Sequence, residues 1–461
     1  MPTVPAAPRS SGTTRWARAG RDRFSNVDVV TLRELPRWPF AAMFVLFPLW
    51  WLLGPGEALW IVLAGIMLLY LLRRGHIEAP RGFGIWLLFL LWMVFSVVGI
   101  DTSGRLIGFL YRALLYLAVT VIFLYVYNAR STLSTRYVAG VLTGFWLVVV
   151  AGGYLGVFFP ILAIHTPFGL LLPEWISSND LVQEMVVRRT TQYNPDGWLK
   201  LDPRPSAPFL YTNGWGNAYS MLLPIVIGYL VEVRRERRFW WLLLAIPVSF
   251  VPAFLTLNRG MFIGLGVALV YVAARSIARG NLRVILALGA LLLVVAGAFA
   301  TFPIAERLSD RVETSSTTQD RAGLYEETFE RTLESPLFGF GAPRPSEKAG
   351  VPSAGTQGQL WMVMFSQGFP GVLFFVGWFV WAFLRSFHVR DPIRLACNTV
   401  LLVIIVEATY YGIMTAGIAV AMIAAALTMR PDPKPGDQDL RTAQELGYTG
   451  AKVAAVPRSQ H

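Results

Sequence analysis

Arg259 is the residue of this sequence best placed to do chemistry at a membrane surface. It lies in Leu257-Asn258-Arg259-Gly260, a very short turn between two apolar stretches. A long basic side chain at such a turn can extend to the membrane interface with no further role. Alternatively, the planar and permanently charged guanidinium can bind an anion, because its fork suits phosphate oxygens. Both interpretations stay open from the sequence.

Two further ionisable residues lie within apolar stretches. Arg112 lies about two turns into its stretch, and Glu407 lies near one end of another. Ionisable groups inside a membrane usually pair with each other or serve function. One interpretation is a structural Arg112–Glu407 ion pair. The other is a place in a reaction centre, with Arg112 binding substrate and Glu407 acting as an acid or base.

The segment from Thr317 to Leu333 predicts an amphipathic helix. Its first Thr is followed three residues later by an acid, which resembles a capping box. One stripe of the helix carries Arg321, Tyr325, Phe329 and Leu333. The Arg on this stripe either packs its stem and exposes its tip, or is held at the membrane surface and points into a site. The helix should stop before Pro336, and Phe338-Gly339-Phe340-Gly341 should form a tight turn.

The stretch from Arg204 to Tyr219 is rich in aromatic residues and precedes an apolar span. Its Trp and Tyr side chains are typical of the aromatic belt at a membrane interface. Together with Asn213 they would also suit a sugar-binding surface, because aromatic rings stack on the apolar faces of pyranoses. Asn213 is therefore a candidate substrate ligand.

The amino-acid composition indicates that these residues belong to a membrane protein. The 461 residues are 55% hydrophobic and 15% charged, against about a quarter charged in soluble domains. This excludes an ordinary soluble enzyme and a disordered chain. The net charge of +12 comes from basic residues beside apolar stretches, so it indicates membrane topology and not a nucleic-acid partner. A single cysteine and four scattered histidines predict no disulfide and no metal site.

The hydropathy pattern predicts an all-α, polytopic integral membrane protein with about 12 transmembrane helices. The predicted spans are residues 38–53, 57–72, 82–100, 107–127, 137–163, 216–232, 239–257, 260–277, 283–301, 361–385, 394–411 and 412–429. Alternating sides places every short basic loop on one face, taken as cytoplasmic.

The loops and tails follow from the same alternation. Residues 1–37 are predicted to be a disordered basic cytoplasmic tail and residues 430–461 a second disordered cytoplasmic tail, flanking a transmembrane domain over 38–429. Two long outer loops, about 164–215 and 302–360, are expected to be ordered because they contain aromatic residues, prolines and mixed charges.

Three of these segments together resemble the O-antigen ligase and O-antigen polymerase superfamily of bacterial membrane glycosyltransferases. Arg204 to Tyr219 is similar to the family's R-x-x-G-x-F-x-x-x-N approach to a span. Leu255 to Gly260 is similar to its T-x-S-R-G segment. Asp320 to Gly341 is similar to its R-x-x-x-[WY]…P-L-x-G-x-G segment. Their order and shared outer topology carry more weight than any one motif.

The resemblance implies transfer of a glycan from a polyprenyl-pyrophosphate carrier to a sugar or polysaccharide acceptor at the outer face of the cytoplasmic (inner) membrane. By motif position, Arg259 and Arg321 would hold the pyrophosphate, and no metal, nucleotide or other cofactor would be needed. The outer loops, with Arg204, Gln357 and Gln359, would shape the acceptor site, and Tyr325 would contact substrate. The lipid bilayer is the remaining partner, and both termini would be cytoplasmic.

One position departs from the family pattern. Family ligases carry a histidine where this chain has Gln357, and an amide cannot act as a general base, though it can orient a hydroxyl. Either the base is another residue, such as Asp320, Glu326 or Glu407, or the reaction needs little base assistance. A flippase for lipid-linked oligosaccharide and a non-catalytic scaffold for polysaccharide assembly remain the alternatives to an enzyme.

Overall fold

We analysed a computed structural model of the chain. It describes residues 34–56, 58–173, 186–193, 203–281, 317–347 and 352–431, with single positions at 286, 289, 290, 293 and 297. The expected tails, apart from residues 34–37, 430 and 431, and most of the expected span 283–301 lie outside the described residues. So does a large part of each outer loop.

The described chain is almost entirely helical. The helices are Trp38–Val45 (α1), Phe47–Leu53 (α2), Ala58–Arg74 (α3), Gly84–Phe95 (α4), Ser103–Asn128 (α5), Thr135–Phe158 (α6), Pro167–Leu171 (α7), Thr212–Glu232 (α8), Arg238–Leu255 (α9), Arg259–Ala278 (α10), Thr317–Thr332 (α11), Gln359–Arg385 (α12), Pro392–Glu407 (α13) and Ala416–Met429 (α14). A short 3-10 turn, Ser96–Gly99, extends α4. Two antiparallel pairs of very short strands, Ala163–His165 (β1) with Val187–Arg189 (β2) and Thr191–Gln192 (β3) with Arg204–Pro205 (β4), lie in the first outer loop.

Six of the described helices, namely α5, α6, α8, α9, α10 and α12, are long and apolar enough to cross a membrane. Each matches a predicted span. The other predicted spans within the described residues are occupied by shorter helices, and the span predicted over 38–53 is divided at Leu46 into α1 and α2. The chain is therefore an all-α polytopic membrane protein, as its composition predicts.

The loops predicted to share one face meet at one end of the bundle. At the end taken as cytoplasmic, Arg136 pairs with Glu236, and Nη1 of Arg430 donates to the carbonyl oxygen of Leu133 at 2.7 Å. These contacts join loops that the positive-inside rule assigned to the same side. They support the relative placement of the loops, while the absolute orientation of the termini stays a prediction.

The opposite end gathers the outer loops in the same way. Nη2 of Arg188, in the first long loop, donates to the carbonyl oxygen of Gly54 at 3.1 Å. Nη2 of Arg344, in the second long loop, lies 2.9 Å from Oδ2 of Asp101. Both long loops therefore lie over the helix ends, and the candidate site residues are found there.

The turn that follows α11 packs against a break in α12. Gly368 has φ 68° and ψ −173°, and Pro370 lacks a backbone N–H, so carbonyl groups before the break lose their helical partners. Residues after α11 replace them: the amides of Phe340 and Gly341 donate to Phe365 and Ser366 at 2.9 and 2.8 Å. The tight turn predicted at residues 338–341 is confirmed, with Gly339 at φ 64° and Gly341 at φ 71°.

Helix α11 is confirmed and ends before Pro336, but its apolar stripe is not the face that packs against the protein. Leu324, Thr328 and Thr332 are buried, whereas Phe329 and Leu333 are 45% and 55% exposed. The threonine hydroxyls can be buried because they donate to carbonyl groups one turn back, at 2.6 Å. In a membrane protein, apolar side chains facing away from the bundle can contact lipid, so an apolar stripe does not identify the packed face.

Candidate functional site

The turn that follows α13, residues 408–411, is the centre of the candidate site. The hydroxyl of Tyr410 donates to the carbonyl oxygen of Gly260 at 3.0 Å, and the hydroxyl of Tyr411 donates to Oδ1 of Asn258. Nδ2 of Asn258 donates in turn to the carbonyl oxygen of Thr212 at 3.0 Å. The short turn between α9 and α10 is therefore held from two sides.

Arg259 projects from this held turn. It is the first residue of α10 and is exposed. The residue two positions earlier, Leu257, has φ 50°, a conformation that costs a non-glycine residue about 1–3 kcal/mol. The hydrogen bonds of Asn258 stabilise the turn against that cost. The packing therefore gives Arg259 a fixed backbone position at the end of the bundle.

Arg321 is connected to the same 408–411 turn through aromatic residues. The ring of Tyr325, one helical turn after Arg321, stacks on Trp361 with 4.6 Å between centroids. Nε1 of Trp361 donates to the carbonyl oxygen of Thr409 at 2.9 Å. Arg321 is half-buried, so α11 presents it beside the turn and does not leave it extended into solvent.

Gln357 lies between two glycines with left-handed backbones, Gly355 at φ 76° and Gly358 at φ 89°. A Cβ on Gly358 would lie 2.8 Å from the carbonyl oxygen of Thr409, so only glycine allows this loop to approach the turn so closely. Gln357 is half-buried. The fold thus brings Gln357, Arg259 and Arg321 around the 408–411 turn, although they are distant in sequence.

Arg204 and Asn213 lie on the other side of Asn258. Oε1 of Gln192 accepts from the hydroxyl of Thr212 at 2.8 Å and from Nη2 of Arg204 at 3.3 Å. Asn213 directly follows Thr212, and both Arg204 and Asn213 are half-buried. The pairing of β3 with β4 therefore connects the first outer loop to the start of α8.

Gln359 lies inside the protein, beneath the turn. Its side chain is fully buried and donates from Nε2 to the hydroxyl of Tyr116 at 2.7 Å, while Oε1 accepts from the amide of Ile413 at 3.3 Å. Its backbone amide donates to Tyr411 at 2.7 Å. Arg112 precedes Tyr116 by one helical turn, and its Nη1 is buried with no hydrogen-bond partner among the described residues. Gln359 therefore connects the 408–411 turn to α5.

Glu407 is fully buried where α8, α10 and α13 meet. Its Oε2 accepts from Nδ2 of Asn217 at 2.6 Å. A Cβ on Gly264 would lie 1.9 Å from Oε1, so the carboxylate fills the space left by that glycine. The expected ion pair with Arg112 is not found between these two described residues, because the amide of Asn217 takes its place.

Six arginines at this end fall into two groups by their ion pairing. Arg105 and Arg344 pair with Asp101, and Arg331 pairs with Glu327. The second group makes no ion pair with any carboxylate of the described residues and comprises Arg112, Arg259 and Arg321. Guanidinium groups without a carboxylate partner among the described residues remain available to bind an anion.

Arg105 is a positioning residue that the sequence did not reveal. Its guanidinium donates to the carbonyl oxygens of Ala342 and Pro343 at 2.7 and 3.1 Å, which holds the segment leading from α11 to Gln357. It lies at the end of a predicted span, where an Arg is ordinary. Only the distant loop that it contacts, more than 230 residues later in the chain, shows its role.

Glu327 gives this loop a pH dependence. Burial alone would raise the pKa of its carboxyl, but hydrogen bonds from the hydroxyl of Ser346, the amide of Glu347 and the guanidinium of Arg331 outweigh burial and lower it. A lowered folded-state pKa stabilises the fold above the ordinary glutamate pKa, and this contribution is lost as pH falls through the folded-state value. Thermal unfolding measured from pH 7 to pH 3 should show that Glu327→Gln lowers the free energy of unfolding by about 1–3 kcal/mol at neutral pH.

The difference in free energy of unfolding between wild type and Glu327→Gln should shrink as the solution is acidified. Because glutamine cannot titrate, it keeps the same hydrogen bonds at every pH. A difference that stayed constant down to pH 3 would mean that the Glu327 carboxylate does not stabilise the loop through its charge.

The fold and the candidate site define a polytopic membrane protein whose outer loops place Arg259 and Arg321 over the ends of its helices. Residues 242–376 match the family model for O-antigen ligase. This match confirms the resemblance to the O-antigen ligase and polymerase superfamily. It covers under a third of the chain and includes Arg259, Arg321 and Gln357, while Arg112, Arg204 and Glu407 lie outside it. None of the curated proteins compared with the chain matches it.

The family match and the apolar helices support a membrane enzyme of surface polysaccharide assembly, with a glycosyltransferase-like activity on lipid-linked glycans. They also support a location in a membrane, as a multi-pass protein of the inner membrane.

Proposed function

We propose that the chain transfers a glycan from a polyprenyl-pyrophosphate carrier to a sugar hydroxyl of an acceptor at the outer face of the cytoplasmic membrane. The observation that carries this proposal is the group of arginines around the 408–411 turn that pair with no carboxylate of the described residues. Arg259 and Arg321 would bind the pyrophosphate, and Arg112 would add charge from beneath. Guanidinium forks bind phosphate oxygens through paired hydrogen bonds, so this group suits a pyrophosphate better than a neutral sugar.

An apolar cleft supports a lipid carrier as the donor. It has a volume of about 450 Å³ between α8, α9, α10 and α13, and its lining includes Phe254 and Phe262, which flank the turn that carries Arg259. The stacked rings of these two residues lie 5.4 Å apart at their centroids. A pyrophosphate at Arg259 would therefore place the first isoprene units at the mouth of an apolar channel, and burial of apolar surface would favour binding.

The proposed transfer is a single displacement. The acceptor hydroxyl oxygen forms a bond to the anomeric carbon while the bond from that carbon to the pyrophosphate oxygen breaks. The leaving oxygen keeps the bonding electrons, the hydroxyl proton passes to water, and the anomeric configuration is inverted. Negative charge grows on the pyrophosphate as the bond breaks, so fixed guanidinium groups stabilise the transition state.

Gln357 and Gln359 take different parts in this proposal. Gln357 is half-buried beside the turn and would orient the acceptor hydroxyl, with Arg204, Asn213 and Tyr325 around the acceptor. Gln359 uses its amide for internal hydrogen bonds, so it would position the turn. Because Gln357 cannot remove a proton, we propose a dissociative, oxocarbenium-like transition state that requires little base assistance.

The test is reconstituted transfer. Purified protein in nanodiscs, given a polyprenyl-pyrophosphate oligosaccharide and a glycan acceptor, should release polyprenyl pyrophosphate and extend the acceptor in equal amounts. Addition of EDTA should leave the rate unchanged, since no metal is proposed. If the protein binds the donor but neither releases polyprenyl pyrophosphate nor extends the acceptor, the proposal is contradicted.

The pool of lipid-linked glycans in a deletion strain separates the related activities. Single repeat units accumulating on the outer leaflet would support a polymerase, and full-length chains there would support a ligase. Mass spectrometry after treatment with an external glycosidase measures both. Accumulation confined to the inner leaflet would favour the flippase alternative.

Asn258→Ala should lower transfer by about 10²-fold, because a displacement of roughly 1 Å in a binding group can cost that much. The variant loses the hydrogen bonds to Thr212 and Tyr411 that fix the backbone before Arg259. Initial rates against donor concentration measure the effect. Thr143→Ala is the control, because that buried hydroxyl donates to the carbonyl oxygen of Ala139 within α6 and lines neither the cleft nor the proposed site. Equal losses in both variants would indicate general destabilisation.

A further inference from the structure

A cavity lined by arginines lies at the end of the bundle opposite the proposed active site. Its volume is about 880 Å³, and it is formed where α12, α13 and α14 meet the loops that follow α3 and α12. Four arginines line it, namely Arg81, Arg385, Arg390 and Arg394. This volume lies within the range of about 300–1,000 Å³ typical of small-molecule sites.

The lining has a large excess of positive charge. Asp391 is the one carboxylate among its lining residues, and its Oδ1 already accepts from the backbone amide of Arg394 at 2.9 Å, as the N-cap of α13. Behind Thr135, which also lines the cavity, Arg430 is only 5% exposed and donates to that hydroxyl at 2.7 Å. Like charges closer than about 8–10 Å repel one another, so a bound anion would stabilise this end of the protein.

The remaining lining favours a phosphate group at membrane depth. Tyr127 and Trp381 contribute aromatic surface beside the arginines, and such rings concentrate at the level of lipid headgroups. Basic pockets between the cytoplasmic ends of transmembrane helices suit anionic lipid headgroups. Guanidinium groups bind phosphate better than neutral ligands, because their paired N–H donors match two phosphate oxygens.

We propose that this basic cavity binds a phosphate-bearing anion at the end of the bundle opposite the proposed glycosyl-transfer site. An anionic phospholipid headgroup and a free phosphate compound share this chemistry. This site is independent of the proposed function, because Arg81, Arg385 and Arg394 have no place in it; Arg390 also lines the apolar cleft.

Lipid binding by the full chain tests this site. The protein would be held in phosphatidylcholine nanodiscs containing increasing phosphatidylglycerol or cardiolipin, and bound lipid counted by native mass spectrometry after release. Arg81→Ala combined with Arg385→Ala, two arginines that line this cavity but not the apolar cleft, should weaken retention of anionic lipid about tenfold or more. Both residues are exposed, so the variant should fold. The matched control is Arg234→Ala combined with Arg235→Ala, two exposed arginines of the same end outside the cavity.

A second arm distinguishes the source of the phosphate. Inorganic pyrophosphate added to protein in phosphatidylcholine alone should stabilise wild type but not the cavity variant if the ligand is a soluble compound. Retention of anionic lipid lost only in the cavity variant would identify a lipid headgroup. Equal binding of lipid and of pyrophosphate by wild type, cavity variant and control would overturn the proposal.

Discussion

Replacing Arg259 or Arg321 with alanine should abolish glycan transfer while the protein still inserts into the membrane. Loss of one preorganised donor to a developing negative charge costs about 10²–10³-fold in rate. Neither arginine pairs with a carboxylate of the described chain, so removing its charge leaves no buried acid without a partner. Reconstituted transfer, measured as polyprenyl pyrophosphate released per minute, would report the loss.

Lysine at either position should restore part of the rate. The positive charge returns, but the planar fork that binds two oxygens together does not. Arg189→Ala is the matched control, since Arg189 is an exposed arginine of the outer strand β2 with no place in the proposed site. Wild-type transfer by both Arg259→Ala and Arg321→Ala would rule out pyrophosphate binding by these two residues.

Replacing Glu407 with alanine should destabilise the helix bundle. The change leaves Nδ2 of Asn217 buried without its 2.6 Å partner, at about 1–3 kcal/mol for one unsatisfied group, and opens a cavity against Gly264. Thermal unfolding in detergent, followed by intrinsic tryptophan fluorescence, should show a clear fall in the midpoint.

Glu407→Gln separates positioning from acid–base catalysis. Glutamine keeps an oxygen that can accept from Asn217, so a positioning role predicts near-normal stability and transfer within a few-fold of wild type. Gly264→Ala should reproduce the destabilisation with the carboxylate still present, because its Cβ would overlap Oε1. A folded Glu407→Gln protein that lost transfer about 10²-fold or more would instead assign Glu407 an acid or base role.

The membrane fold follows from the sequence because it depends on composition and local pattern. Long apolar stretches without charges must form helices in a bilayer, where each backbone polar group needs an internal partner. The positive-inside rule then sorted the loops correctly into two ends. The turn at residues 338–341 and the end of α11 before Pro336 were also predictable, because glycine and proline act on the backbone locally.

The packed face of α11 was not predictable in the same way. Phe329 and Leu333 of its apolar stripe are exposed, whereas the buried side chains include Thr328 and Thr332. In water an apolar face seeks the protein interior, but beside a membrane it can contact lipid instead. Apolar character therefore does not predict burial within the protein at this position.

The candidate arginines could be named from the sequence, Arg112 and Arg259 from their places in or beside apolar stretches, and Arg204 and Arg321 from segments that resemble the family's motifs. Which of them are available to an anion was decided only by the tertiary structure. Arg105 pairs with Asp101 and also donates to the distant carbonyl oxygen of Ala342. Arg259 makes neither kind of contact with the described residues. Likewise, Gln357 and Gln359 are two residues apart, but one lies beside the turn and the other is buried beneath it. The sequence determined the helices and the types of chemistry, and the long-range contacts of the 408–411 turn decided which side chains form one site.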